Sequence, residues 1–247
     1  MKPRLSYTIW FTQRTGSTLL CKALEATQIA GVPGEWLYTW IGEQHVRNAD
    51  ELQNRLWRSG STANGIFGLK HSFHEPHFTN LVEIFRHFPG CPANEPNRVR
   101  VWEHALPNHR HIFMTRRNKV RLAVSWWKAI KTQEWHRLAG VPSRAAQQPD
   151  AYSFEAINPF YSECSMREAG MQDFFSEGGI VPLTIVYEDF IQEYESTVRR
   201  VLEFLELEAD TINISPPSLA PTANDLSEEW VQRFREELQQ GWTNRGW

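Results

Sequence analysis

Residues suited to binding an anion occur together near the start of the sequence. Between Thr12 and Thr18 the chain carries one basic residue, one glycine and several hydroxyl residues. The guanidinium of Arg14 is a delocalised charge that suits anionic oxygens, and Gly16 allows the backbone to turn closely around them. The stretch therefore predicts a phosphate or sulfate site, with the candidate ligands Arg14, Thr15, Gly16, Ser17 and Thr18.

The residues on either side of this stretch determine how it would be held. Residues 6–11 are β-branched and aromatic, as is typical of a strand, and the apolar residues of 19–26 fall on one helical stripe. A strand that turns tightly into a helix directs backbone N–H groups and the positive end of the helix dipole at one point, which binds anions. An ordinary helix cap at Ser17 or Thr18, with a turn at Gly16, is the alternative.

The loop differs from the P-loop of nucleoside triphosphatases. That motif is G-x-x-x-x-G-K-[ST], whereas no lysine follows Gly16 and no glycine lies five residues before it. The sequence offers no second acidic motif for Mg²⁺. We therefore do not expect a metal-chelated triphosphate as the anion.

Glu35 is a candidate general base. It is the first carboxylate after the predicted first helix, and Trp36 and Leu37 follow it. Apolar neighbours favour the protonated form of a carboxyl group, so such a group can exchange protons during a reaction. A solvated surface glutamate is the alternative interpretation.

A cation and two histidines follow a second predicted strand. Residues 64–70 form a short apolar run that ends in Lys70, and His71 and His74 come next. Ligands of open α/β sheets bind at the carboxyl ends of strands, so these side chains suit a crevice there. A solvated loop explains them nearly as well, and their spacing is not that of a metal site.

A second anion site is predicted after a third strand. Residues 109–115 read as a strand, four basic or amide residues follow, and 120–130 read as a helix. Arg117 and Ser125, one before the helix and one within it, are the candidate ligands. A charged, solvated helix start is the alternative.

Bulk composition limits the class of protein. A length of 247 residues with a formal net charge of −3 suits one α/β domain and implies neither a nucleic acid nor an anionic membrane as partner. The three cysteines are too scattered for a zinc site or a disulfide framework, so we expect a reducing, cytoplasmic location. Sugar rings and adenine stack on aromatic faces, for which the candidates are Trp36, Trp40, Trp126 and Trp135.

Strands alternate with helices along the chain, which predicts an α/β fold with a central, mainly parallel sheet and helices on both faces. Other expectations concern single segments. These are helices at 46–58 and 78–88, a turn or strand entry at 29–37, a connection at 89–107, a long helix through 154–175, a strand at 180–187, and N-caps at Asp189 and Ser227.

Two anion sites on two βα units suit a nucleotide with phosphates at both ends of its ribose. The loop Gln13–Thr18 resembles the 5′-phosphosulfate loop of sulfotransferases, and Arg117 with Ser125 resembles their 3′-phosphate pair. Tyr187-Glu188-Asp189-Phe190 resembles a turn found in many of them. The segments Gln-Arg-Thr-Gly-Ser-Thr-Leu-Leu, Gly-x-Pro-x-Glu and Ser-Glu-Glu-Trp-Val are similar to the bacterial trehalose 2-sulfotransferase family, and the likeness covers essentially the whole chain.

This resemblance implies a P-loop-like three-layer sandwich formed by a single sulfotransferase domain over 1–247. It implies 3′-phosphoadenosine 5′-phosphosulfate (PAPS) as donor, a carbohydrate or glycolipid hydroxyl as acceptor, no metal, and a homodimer. Trehalose and a lipopolysaccharide or other glycolipid sugar both stay open as acceptors. Glu35 corresponds to the family's base, and we place Trp36, His71 and His74 on the acceptor side.

In the mechanism that we predict, Arg14 and the loop stabilise the departing 5′-phosphate, and Lys70 reaches the transferring sulfuryl oxygens. Arg117 and Ser125 hold the 3′-phosphate. Two other functions stay open, a non-catalytic protein that binds a nucleotide or polyanion and a metal-dependent small-molecule kinase.

Overall fold

A computed structural model describes residues 2–41, 49–92, 94–142 and 151–242, with the backbone alone for 39–41. In chain order the elements are β1 (Leu5–Phe11), α1 (Ser17–Ala26), α2 (Trp36–Ile41), α3 (Ala49–Gly60), β2 (Ile66–Ser72), α4 (His77–Arg86), α5 (Arg98–Ala105), β3 (His109–Thr115), α6 (Lys119–Thr132), β4 (Arg137–Leu138), α7 (Phe154–Gly178), β5 (Leu183–Val186), α8 (Tyr187–Phe190), α9 (Tyr194–Phe204), β6 (Leu219–Ala220) and α10 (Asp225–Gln239).

The main sheet is parallel and has the strand order β2-β1-β3-β5. In the register of β1, Phe11 lies opposite Ser72 of β2 and opposite Met114 of β3. The chain leaves β1 toward β2 on one side and then crosses to β3 on the other side. A ligand crevice forms at the carboxyl ends of the strands where the order reverses in this way.

Alternating residues of the sheet face two different apolar cores. Leu5, Tyr7, Ile9 and Phe11 of β1 pack with α1 and α9, while Trp10 packs with α3, α4, α5 and the second half of α7. Because successive side chains of a strand point to opposite faces, a central strand covered on both faces is apolar throughout. The prediction of a three-layer α/β sandwich is confirmed.

The chain divides into two compact units. The first comprises Met1–Thr115 and Arg167–Ser218 and holds the main sheet, and the second comprises Arg116–Met166 and Leu219–Trp247. In the second unit, apolar residues of α6, the first half of α7 and α10 form their own core around Val124, Trp230 and Phe234. The single-domain prediction stays a prediction.

Several predicted boundaries differ from the structure. The segment 89–107 is not only a connection, because it contains α5, whose Val99 and Trp102 are buried. Asp189 lies inside the single turn α8, and α9 begins after Glu193, so the predicted cap at Asp189 is wrong. Asn224 is the N-cap of α10, where Ser227 forms the other half of a capping box.

The remaining elements agree with the sequence patterns more closely. The predicted helices at 78–88 and 154–175 correspond to α4 and α7, and residues 49–58 of the helix predicted at 46–58 lie in α3. The predicted strand at 180–187 is shorter, since β5 covers only Leu183–Val186. Within the described residues, none of the helices is both long enough and apolar enough to cross a membrane.

Candidate functional site

The loop after β1 has a backbone that few residues adopt. Arg14 has a φ of 67° and Gly16 a φ of 80°, both in the left-handed region. The hydroxyl of Thr15 stabilises the turn by donating to the carbonyl oxygen of Thr12 at 2.8 Å. A Cβ atom on Gly16 would lie 2.7 Å from Cδ2 of Tyr187, so both conformation and space require glycine there.

The backbone donors of this loop remain available. Gly16 is the N-cap of α1 and makes no side-chain capping bond. Across the described part of the chain, no acceptor receives the N–H of Thr15, Gly16, Ser17 or Thr18. The Thr12 hydroxyl is buried and likewise has no hydrogen-bond partner in that part. Buried polar groups are normally satisfied, so this row of donors fits the anion that the sequence predicts.

Lys70 connects this loop to Glu35. Its Nζ donates to Oγ1 of Thr18 at 3.0 Å and to Oε1 of Glu35 at 2.7 Å, and it lies 4.3 Å from the ring centroid of Phe11. The side chain of Lys70 is 9 % exposed, compared with 43 % for Glu35. A buried ammonium group needs such partners, because transfer of an unpaired charge from water is costly.

The backbone before Glu35 places its carboxylate beside this lysine. Gly34 forms a parallel bridge with Leu69, and its carbonyl oxygen accepts the N–H of Lys70 at 2.9 Å. The prediction of a turn or strand entry therefore holds for residues 29–35, but it is wrong for Trp36 and Leu37, which begin α2. The Trp36 indole donates to the carbonyl oxygen of Val32 at 3.0 Å and is half-buried.

His71 and His74 lie in different environments. β2 begins and ends two residues later than predicted, so Lys70 and Ser72 face one side of the sheet and His71 faces the other. His71 is completely buried among aromatic rings. Burial, with His77 and His74 nearby, holds its pKa well below the ordinary value. His74 is half-buried, and its Nδ1 lies 2.9 Å from the hydroxyl of Tyr38.

Tyr38 and two histidines form a stack that the sequence analysis missed. The Tyr38 and His77 ring centroids are 4.8 Å apart, and the His74 and His77 centroids are also 4.8 Å apart, with the planes almost parallel. Burial raises the pKa of Tyr38 to about 12, with a smaller raising effect from Glu35. Among the described residues, no group of three or more His, Cys, Asp or Glu side chains could hold a metal ion.

Gln13, Ser72 and Arg167 form a second cluster that the sequence analysis missed. Nη1 of Arg167 donates to Oε1 of Gln13 at 3.1 Å and to Oγ of Ser72 at 2.9 Å. Nothing in the local sequence of α7 distinguishes Arg167 from other helix residues. Its position becomes apparent only when the fold brings α7 to the carboxyl ends of β1 and β2.

The second unit carries the other predicted anion site. Asn118 caps α6 by accepting the N–H of Arg121 at 3.0 Å. An open pocket of about 430 Å³ lies at this helix start, and it is lined by Arg117, Asn118, Lys119, Val120 and Tyr161. Arg117 lies at this pocket, whereas Ser125 lies farther along α6 and does not line it, and the role of both residues stays a prediction. Tyr161 comes from α7 and has no motif that would predict it.

The tryptophans proposed for stacking differ in exposure. Trp126 is 7 % exposed and packs on Phe160, with the ring centroids 5.0 Å apart. Trp135 is 37 % exposed. The side chain of Trp40 lies outside the described residues. Of Trp126 and Trp135, whose side chains the structure describes, only Trp135 has a ring surface that is open to a ligand.

Comparison with known proteins identifies the family. A family model described as Stf0 sulphotransferase matches residues 6–237. The chain belongs to the Stf0 sulphotransferase family. Membership of this family makes the protein a sulfotransferase, and it confirms the resemblance seen in the loop, the Gly-x-Pro-x-Glu segment and the residues near the C-terminus.

Similar curated proteins have a more specific name. Trehalose 2-sulfotransferase from Mycobacterium tuberculosis (strain Erdman) is 27 % identical over 263 aligned residues, which cover 94 % of both chains. Trehalose 2-sulfotransferase from Mycolicibacterium smegmatis is 26 % identical and covers 95 % of this chain and 96 % of its own.

Two solved structures are also similar over most of the Stf0 chain. A sulfotransferase from Alicyclobacillus acidocaldarius is 16 % identical with a TM-score of 0.49, and it covers 97 % of this chain and 96 % of its own. The sulfotransferase domain of the Synechococcus PCC 7002 olefin synthase is 11 % identical with a TM-score of 0.39, covering 100 % of this chain and 90 % of its own.

Proposed function

We propose that this sulfotransferase moves a sulfuryl group from PAPS to a hydroxyl of a carbohydrate or glycolipid acceptor, with Glu35 as general base. One observation carries the proposal. The N–H groups of the loop have no acceptor in the described structure. Hydrogen bonds from Lys70 to Thr18 and to Glu35 connect this loop to the exposed carboxylate of Glu35. An anion site and a proton acceptor thus lie on either side of a single buried cation.

The loop serves the donor in this proposal. The N–H groups of Thr15, Gly16, Ser17 and Thr18 hold the 5′-phosphosulfate together with the Arg14 guanidinium. Donors that are already oriented stabilise charge on a departing phosphate without reorganising during the reaction. PAPS supplies a sulfuryl group bonded to a good leaving group, and the protein contributes position and charge.

Glu35 is arranged to accept a proton. Its Oε1 accepts a hydrogen bond from Nζ of Lys70, and across the described residues no hydrogen bond is made to Oε2. Because the side chain is 43 % exposed, an acceptor hydroxyl can approach Oε2 from solvent. Lys70 then has two roles, since it orients the carboxylate and places positive charge beside the sulfuryl oxygens. A general base must lie within hydrogen-bond reach of the proton that it removes.

The pocket of the second unit serves the nucleotide's other phosphate. Arg117 lines this pocket, and we assign it to the 3′-phosphate together with Ser125 of the same unit. Asn118 fixes the start of α6, so the positive end of the helix dipole lies at the same place. A nucleotide without the 3′-phosphate could not make this contact with the guanidinium, which favours PAPS over ATP.

The acceptor side is proposed from the surroundings of Glu35. His74 and Trp36 are half-buried there and offer a ring nitrogen and an indole face to a polyhydroxyl ligand. His71 is completely buried, so we expect it to support the site rather than to contact the acceptor. Because the two curated relatives are named trehalose 2-sulfotransferases, trehalose is the first acceptor to test.

Transfer of labelled sulfate from PAPS tests the function directly. The protein is incubated with [³⁵S]PAPS and with trehalose, other saccharides and glycolipids in parallel, without added metal. We expect label in at least one saccharide product and release of adenosine 3′,5′-bisphosphate. Nucleotide binding without any labelled product would instead indicate a non-catalytic nucleotide-binding protein, and Mg²⁺-dependent ATP turnover would indicate a kinase.

A further inference from the structure

A buried polar junction joins the donor loop to β2. Gln13 is the first residue of the turn in the loop, Ser72 is the last residue of β2, and Arg167 lies in α7. Ser72 is completely buried, while Gln13 and Arg167 are half-buried. The three side chains contact one another, with Nε2 of Gln13 also donating to Oγ of Ser72 at 3.4 Å.

Arg167 determines which way the Gln13 amide points. A guanidinium has only donors, so the atom of Gln13 that faces it must be the carbonyl oxygen Oε1. The amide nitrogen Nε2 is thereby directed at Ser72. Without the guanidinium, nothing in this junction would prevent the amide from turning over.

The junction also lies close to the proposed reacting groups. Ser72 is two residues after Lys70 on the same face of β2, and its carbonyl oxygen accepts the hydroxyl of Tyr38 at 3.3 Å. Tyr38 is three residues after Glu35. The next residue of α7, Glu168, accepts the hydroxyl of Thr115 at the end of β3 at 2.9 Å. Arg167 and Glu168 therefore contact residues at the carboxyl ends of three adjacent strands, β1, β2 and β3.

We infer that Arg167 is a positioning residue for sulfuryl transfer, and that it acts through the side chain of Gln13. By fixing the amide, Arg167 anchors the first residue of the strained turn that precedes Arg14, at a set distance from the Lys70–Glu35 pair. It contacts neither Glu35 nor Lys70 by hydrogen bonds in the described structure. This inference rests on the proposed function, because it assigns the loop to the donor.

Steady-state kinetics of Arg167→Met test the inference. A small misplacement of reacting groups lowers the rate strongly, so we expect kcat to fall about 30-fold while the KM for PAPS stays within about twofold. Arg167→Lys should recover most of the rate, because one nitrogen makes both contacts and an ammonium group can replace it. Arg200→Met, which removes an exposed arginine of α9, is the matched control and should resemble the wild type.

A double-mutant cycle separates action through Gln13 from other roles. In a Gln13→Ala background, Arg167→Met should cause little further loss of kcat. An equal loss in both backgrounds would overturn the inference, and so would a loss of PAPS binding or a fall in melting temperature that accounts for the lower rate.

A spectroscopic readout makes the test independent of turnover. The ¹⁵N-labelled side-chain amide of Gln13, assigned by its absence in Gln13→Ala, should shift in Arg167→Met and keep its position in Arg200→Met. An unchanged amide signal would overturn the inference even if no acceptor were sulfated. A wild-type protein that transfers label to no saccharide would instead contradict the proposed function.

Discussion

Lys70 and His71 are consecutive residues of β2, and their surroundings are opposite. Lys70 lies on the face that carries Thr18 and Glu35, and its charge is paired. His71 points into an aromatic core, and among the described residues neither ring nitrogen has a hydrogen-bond partner. Because side chains alternate along the strand, the charged Lys70 lies on one face and the uncharged, buried His71 lies on the other. Sequence proximity to a cation does not make a histidine part of the same site.

The largest effect is expected for Glu35→Gln, on the charged face. Glutamine keeps the size of the side chain and an oxygen for Lys70, but it cannot accept the acceptor proton. We expect kcat to fall by about 10²-fold or more, with PAPS binding retained. Glu25→Gln on the exposed side of α1 is the control. Turnover close to wild type would remove Glu35 from the mechanism, and His74 would then be the next candidate base.

The second prediction compares substitutions of Lys70 and of His71. Lys70→Met removes the charge beside Glu35 and Thr18, and we expect kcat to fall about 100-fold. His71→Phe replaces one buried planar ring by another, and we expect turnover within about threefold of the wild type. Both variants are measured with the same acceptor after their melting temperatures are recorded. If the two substitutions lowered kcat equally in folded proteins, the division between the faces would be wrong.

The third prediction concerns the basic pocket of the second unit. Arg117→Ala should weaken binding of adenosine 3′,5′-bisphosphate about 30-fold, as expected for loss of a charge-assisted contact. Binding of ADP should change little, because ADP has no 3′-phosphate. Lys131→Ala, in the last turn of the same helix, is the matched control. Calorimetry gives both dissociation constants, and equal affinity of the wild type for the two nucleotides would refute the assignment.

How much of this could be predicted depended on the sequence separation of the interacting residues. The loop from Arg14 to Thr18 was predictable because its strand, glycine and helix are adjacent in the chain. Local patterns indicate Glu35 and Lys70 each as a candidate, but their contact needs the bridge between Gly34 and Leu69, which no local pattern shows.

The errors have the same physical origin. The apolar run predicts a strand that ends at Lys70, although Ser72 still pairs with Phe11 and the strand continues. Arg167 could not be predicted, because it meets Gln13 across 154 residues of sequence. Helix α5 was missed because prolines and asparagines flank its eight residues and hide the apolar positions at Val99 and Trp102.

The smallest effect should come from the neutral face, through pH. Burial lowers the pKa of His71 and of His109 well below the ordinary value and that of His111 to about 4. In the unfolded chain these histidines bind protons as the pH falls through about 6.5, whereas in the folded protein they stay neutral. Their contribution to the free energy of unfolding is therefore fully present above that pH and is lost progressively below it. For His111 alone we expect a loss of about 1 kcal/mol between pH 7 and pH 5.5.

Urea unfolding at these two pH values measures the effect. His111→Gln can still accept the indole N–H of Trp10, which His111 accepts at 3.0 Å, and it cannot be protonated. The variant should therefore lose less stability on acidification than the wild type, whereas His104→Gln on the exposed side of α5 should match the wild type. If His111→Gln and the wild type lost the same free energy, protonation at this face would not control acid stability. The contrast with Lys70 would then rest on packing alone.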